Sequence, residues 1–209
     1  MGKINKPSKY SVVILAAGIG KRLNIPGFSG PKCLLEIDGK TLIQSQLENL
    51  AKRGFVDISM VVGYRHLEII NTIKKYKNLP KINFIKINKY SINGHGLTLF
   101  KYRKKWNIDK KPIIMLHADL YFKWKYFDEV FNDSHENILG LTSYKFNQTS
   151  ADSLAIGINA KGVVTAINHK KNMKKPLGQV LCINKISSEM TQRLFGFMNS
   201  YFKINNYKK

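Results

Sequence analysis

Acidic residues are scarce in this chain: 13 Asp and Glu stand against 35 Lys and Arg, a formal net charge of +22. Such a balance argues against strongly basic partners and favours anions, whether nucleotides, phosphosugars, nucleic acid or an anionic membrane surface. The excess of Lys is spread along the chain rather than gathered in one tail. Its densest cluster, Lys101-Tyr102-Arg103-Lys104-Lys105-Trp106, reads as a solvated helix face, although its mixture of aromatics and cations also suits nucleic acid. Cysteine is equally rare. Cys33 and Cys182 have no metal-ligand spacing and lie in apolar runs, so they read as buried free thiols of a reducing compartment. No apolar run approaches the ~20 residues of a membrane span. The run Val12 to Ala17 follows basic residues, but it is short and ends in Gly-Ile-Gly-Lys-Arg, which marks a core strand rather than a leader. Lys6 stands where a myristoylation start needs Ser or Thr. A cytoplasmic protein is expected.

What is present is ordinary globular material. The 209 residues are 44% hydrophobic, which suits a single domain over 1–209. Strands are expected at Val12–Leu15, Ile58–Val62, Ile82–Ile87 and Ile113–Leu116, the first and last of them continuously apolar. Between them, helical spacing marks Ile43 to Ala51 and Leu67 to Ile73, and a further helix is expected from about His95 to Trp106. Asp38-Gly39 reads as a tight turn between Leu34–Ile37 and Thr41–Ile43. Shorter strands follow at Ile138–Tyr144, Ser153–Ile158, Val163–Ile167 and Gln179–Ile183, and a last helix at Ile186–Phe202. Apolar strands alternating with helices imply an α/β, Rossmann-like three-layer sandwich. Its sheet is mostly parallel but mixed, with a small antiparallel addition.

The richest segment is Ser11 to Lys32. A buried strand passes into Ala16-Ala17-Gly18-Ile19-Gly20, followed by Lys21-Arg22 and later Pro31-Lys32. Small residues let the backbone approach a ligand, backbone N–H groups can face phosphate oxygens, and cations supply the opposing charge. It is not a Walker A loop, since Leu15 occupies the first glycine position and Arg22 follows the Lys. Nor is it a dinucleotide fingerprint, because Leu23 replaces the third small residue. In an α/β sheet, ligands bind beyond the carboxyl ends of the strands. His117-Ala118-Asp119 follows another such end, and Asp119 offers the hard oxygen that Mg²⁺ prefers.

The segment resembles the sugar-nucleotidyltransferase family, the NDP-sugar pyrophosphorylases and phosphocholine cytidylyltransferases. Their signature is a strand, Leu-Ala-Ala-Gly-x-Gly-x-Arg and a later Pro-Lys. Leu15, Ala16, Ala17, Gly18, Gly20, Arg22, Pro31 and Lys32 fall on it, while Lys21 stands where the family has Thr or Ser. The resemblance implies transfer of a nucleotidyl group from a nucleoside triphosphate to a small phosphate monoester, with release of pyrophosphate. It implies Arg22 and Lys32 as catalytic cations, Leu15, Ala16, Ala17, Gly18 and Gly20 as nucleotide contacts, and Mg²⁺ on Asp119. Asn93 and Gly94 fall in the loop that reads the base, and their small polar character favours CTP slightly. Lys170 falls on the family's acceptor-binding Lys, but His169 replaces the acidic residue before it. Short members commonly serve surface-glycan pathways.

The resemblance stops at the end of the chain. A second metal-binding Asp is expected there, yet no carboxylate side chain follows Glu189. A member lacking the family's C-terminal segment, replacement by Asp152 or the terminal carboxylate, and a nucleotide binder without efficient turnover all stay open. So do two non-enzymatic alternatives: a catalytically weak regulatory relative and a basic nucleic-acid-binding protein.

Overall fold

The computed structural model describes residues 5–20, 25–88, 111–143, 154–169, 172 and 177–204. Strand β1 (Ser11–Ala16) lies inside the sheet, between β4 (Ile58–Val62) and β6 (Ile113–His117), and runs parallel to both. β5 (Ile82–Lys86) adds in parallel beyond β4. Because β1 is covered on both sides, its side chains alternate between two cores: Val12 and Ile14 face one, Val13 and Leu15 the other. That double burial explains the unbroken apolar run.

The first core is covered by three helices. α1 (Leu42–Lys52) presents Ile43, Leu47 and Leu50, all fully buried, and Thr41 caps it by accepting from the Gln44 N–H at 3.1 Å. A small hairpin of β2 (Glu36–Ile37) and β3 (Lys40–Thr41) precedes it, turning at Asp38-Gly39 as expected but with shorter arms. α2 (His66–Ile73) adds Ile69 and Ile73. α3 (Trp124–Asn132) was not expected from the sequence. It begins at Lys123 without a side-chain cap and is rich in aromatics, which have modest helix propensity. Packing decides it instead: Phe127 and Phe131 meet Phe55 edge-on at 5.6 and 5.1 Å, and Tyr10 meets Phe131 at 5.2 Å.

The antiparallel part comprises β7 (Ile138–Ser143), β8 (Leu154–Ile158), β9 (Val164–His169) and β10 (Gly178–Ile186). β10 pairs with β6 through its second half and with β8 through its first, giving the order β5-β4-β1-β6-β10-β8-β9, while β7 runs along the other edge of β10. α4 (Ser188–Ile204) covers the second core with Phe195 and Met198. Helices therefore lie on both faces of a mixed sheet, a Rossmann-like arrangement. The helix expected at 95–106 lies outside the described residues. Both cysteines are free; Cys33 is buried and Cys182 only half-buried, short of the full burial expected for it.

Candidate active site

The carboxyl ends of the adjacent parallel strands β1 and β6 create the site. Beyond the end of β1 the backbone continues through Ala17 and Gly18, and Ala118 N–H donates to Leu15 O at 3.0 Å, which extends the pairing into the loop that carries Asp119. Next to them, Tyr64 N–H donates to Ala17 O at 3.2 Å. Arg65, in a left-handed conformation at φ 48°, donates to Ser29 O at 2.6 Å and pairs with Glu68. The segment after β4 thus holds the glycine-containing loop at two points.

Lys32 reaches the same place from the far end of that loop. Pro31 opens a single 3₁₀ turn, Lys32–Leu34, closed by Leu34 N–H to Pro31 O at 2.8 Å and Leu35 N–H to Lys32 O at 3.0 Å. The turn lays the aliphatic stem of Lys32 across Gly20. A methyl group there would lie 2.7 Å from Lys32 Cε and 2.8 Å from Cγ, and the Gly20 backbone is left-handed at φ 75°. Glycine is therefore required twice over: for its backbone and for the passage of Lys32. The Lys32 ammonium ends 3.6 Å from Asp119 Oδ2.

Leu15, Ala16, Ala17, Gly18, Gly20, Lys32 and Asp119 all line one cavity of about 290 Å³. Seven of the eleven residues singled out from the sequence are thus brought together. The other four, Arg22, Asn93, Gly94 and Lys170, lie outside the described residues, as does Asp152. Pro31, Cys33, His117 and Ala118 complete the wall. Cys33 was read only as a core thiol, and its place in the wall follows from its being the residue after Lys32. Burial pushes its thiol up to about 12, with the negative charges of Asp119 and Glu68 adding to the effect. Asp119 is not the cap of a helix, since α3 begins after Lys123. Its carboxylate is free to face the cavity.

The donor set fits a hard cation shared with a ligand. Among the described residues no three His, Cys, Asp or Glu gather into a metal cage, so Asp119 offers one carboxylate. Mg²⁺ is commonly held in that manner, by one or two carboxylates, water and substrate phosphates.

The description "MobA-like NTP transferase domain" matches residues 12–86, which include β1, the glycine-containing loop and Lys32. Over this stretch the chain is similar to sugar-phosphate nucleotidyltransferases. It is 40% identical over 108 residues to the mannose-1-phosphate guanyltransferase of Debaryomyces hansenii, a match covering 52% of this chain and 30% of that protein. It is 31% identical over 116 residues to the CTP:phosphoglutamine cytidylyltransferase of Campylobacter jejuni, covering 54% and 44%. The matched stretches thus span less than half of these curated relatives. The inositol-1-phosphate CTP transferase of T. maritima shares the fold, with a TM-score of 0.71 and 17% identity over 96% of this chain and 76% of that one. Among the described residues no helix is long and apolar enough to cross a membrane.

Proposed function

We propose that this chain transfers a nucleoside monophosphate from a triphosphate to a sugar phosphate or a phosphocholine-like phosphate monoester, releasing pyrophosphate. The observation that carries the reading is the convergence of Lys32 and Asp119, from two separate elements, on a cavity floored by Ala16, Ala17 and Gly18. One charge of each sign faces a ligand that brings polyphosphate and metal together.

The chemistry asks little covalent work of the protein. An oxygen of the attacking phosphate bonds to the α-phosphorus, the bond from that phosphorus to the α,β-bridging oxygen breaks, and pyrophosphate leaves with the electron pair. The attacking phosphate is already an anion, so no general base is required. The chain's contribution is alignment of two polyanions and compensation of their charge. The loop backbone and Gly18 admit the triphosphate closely, Lys32 neutralises the phosphate nearest the reacting bond, and Asp119 would hold Mg²⁺. When bound, Mg²⁺ supplies further neutralisation of the phosphate oxygens. Arg22 is assigned to the departing phosphates and Lys170 to the acceptor, on the strength of the motif. CTP is the first triphosphate to try: Asn93 and Gly94 are small and polar, and a relative that matches 54% of the chain is named for CTP.

The test is thermal stabilisation by CTP, GTP, UTP, ATP and dTTP with and without Mg²⁺, followed by pyrophosphate release with mannose 1-phosphate and phosphocholine as acceptors. A triphosphate at 100-fold over its dissociation constant stabilises by about 2.7 kcal/mol. Absence of both stabilisation and pyrophosphate with all five would sink the reading.

A further inference from the structure

Gln46 stands in the middle of α1 and is 2% exposed, a rare place for an amide. Its Nε2 donates to two backbone carbonyls, His117 O at 2.9 Å and Leu120 O at 3.2 Å. Carbonyls only accept, so these two partners fix which way the amide points. They also bracket Ala118 and Asp119. One side chain therefore spans the turn that carries the carboxylate, staples it from below, and does so from a helix that is itself immobilised. Ile43, Leu47 and Leu50 lock α1 into the core, and Thr41 ties its first turn through Gln44 N–H and through the Tyr76 hydroxyl at 2.7 Å.

The remaining polar atom of Gln46 sharpens the point. Oε1 is buried and, among the described residues, meets no hydrogen-bond donor. Met or Leu would fill similar space and remove the unmet oxygen, but would take the donor away from both carbonyls. What Gln46 provides that they cannot is the pair of donors to the 117–120 turn. The pairing of His117 with Leu15 and the bond from Ala118 N–H to Leu15 O tie the start of the turn to β1. Lys32, at 3.6 Å from Asp119, is too far to fix the carboxylate by a hydrogen bond.

We propose that Gln46 is a positioning residue: it holds the His117–Leu120 turn so that Asp119 is aimed at the metal–triphosphate without reorganising when the ligand arrives. The inference rests on the reading of Asp119 as the metal-holding carboxylate. Groups that orient a ligating side chain typically contribute 10–100-fold to metal affinity.

The experiment is a Mg²⁺ titration of wild type, Gln46→Leu, Gln46→Met and Asp119→Asn in the presence of whichever triphosphate stabilises the wild type, read as melting temperature. Triphosphate binding in EDTA is measured alongside. The expected result is that Gln46→Leu, or Gln46→Met should the first fail to fold, raises the Mg²⁺ midpoint roughly 10–100-fold. Metal-free triphosphate binding stays within about twofold of wild type, because the cavity floor and Lys32 are untouched. A wild-type Mg²⁺ midpoint in the folded Gln46 variants overturns the proposal. So does an equal weakening of metal-free and metal-dependent binding, which marks a merely structural residue. Asp119→Asn separates the two levels: if it keeps the wild-type Mg²⁺ response, the assignment of Asp119 fails and the role of Gln46 with it.

Discussion

Lys32 Nζ stands 3.6 Å from Asp119 Oδ2, a cation from the end of the glycine-containing loop facing an acid from the end of β6. Both side chains are partly exposed, at 27% and 39%. A pair this long and this wet contributes at most about 1 kcal/mol to stability. On the proposed function, its value lies in the two charges it presents to the cavity rather than in stability.

Function and stability should therefore part company at this pair. Lys32→Met and Asp119→Asn are each expected to leave the melting temperature of the free protein within a few degrees of wild type, in keeping with a contribution of ~1 kcal/mol or less. Pyrophosphate release should fall by about 10²–10³, the usual cost of losing one electrostatic contact to a transition state. Comparable losses of both, read by calorimetry and a coupled pyrophosphate assay, would mean that the pair serves the fold.

Two glycines in one loop should behave differently. At Gly20 an alanine meets both a left-handed backbone and the stem of Lys32, so Gly20→Ala should destabilise the free protein by about 1 kcal/mol or more and displace the ammonium. Around Gly18 nothing lies within 4 Å of the added methyl group. Gly18→Ala should leave the free protein's melting temperature unchanged yet weaken triphosphate binding, because Gly18 lines the cavity and a methyl group there keeps a ligand from the backbone. Melting curves with and without triphosphate distinguish the two, and equal behaviour of the variants would contradict this account.

The motif readings picked out residues that the fold brings to one cavity. Ala16 to Gly20 and Lys32 could be named because close approach and charge need particular residue types at particular places. Asp119 could be named because it follows an apolar strand directly. Gln46 could not. It lies inside an amphipathic helix with the helical pattern of its neighbours, and its partners, His117 O and Leu120 O, are backbone atoms 71 and 74 residues away. A side-chain-to-backbone contact leaves no trace in residue type at the accepting end. α3 was missed for a related reason: Trp124, Phe127 and Phe131 do have helical spacing, but with no cap and weak propensity only their packing on Phe55 makes it decisive.

The same argument extends to the antiparallel half. The pairing of β10 with β7 shifts register between Val180 and Asn184, where Cys182 adopts φ 59°. This β-bulge brings Ile183 O against Gly140, at whose position a methyl group would lie 2.6 Å from that oxygen. Backbone cannot step aside as a flexible side chain can. Gly140→Ala should cost about 1–3 kcal/mol, as overpacking does elsewhere. The readout is the urea midpoint, and an unchanged midpoint would show that the bulge relaxes freely.

Cys33 offers a test by pH. It lines the cavity beside Lys32 and could be mistaken for a nucleophile, but burial first, then the charges of Asp119 and Glu68, push its thiol from an ordinary 9.0 up to about 12. In an acid whose folded value is raised, the unfolded chain ionises first. The associated stability is therefore complete below about pH 9 and is lost as pH climbs from 9 towards 12, at up to ~1.4 kcal/mol per pH unit. Cys33→Ala removes that one titration while leaving the Lys and Tyr residues in place. Between pH 7.5 and 10 the wild type should lose about 1 kcal/mol more than the variant in urea unfolding. Alkylation of Cys33 by iodoacetamide at pH 8 should be slower than in the unfolded chain by roughly three orders of magnitude, following the thiolate fraction. Parallel pH profiles for the two proteins, or rapid alkylation of the folded one, would mean that the thiol is ionised in the cavity, where its negative charge would oppose a phosphate rather than assist Lys32.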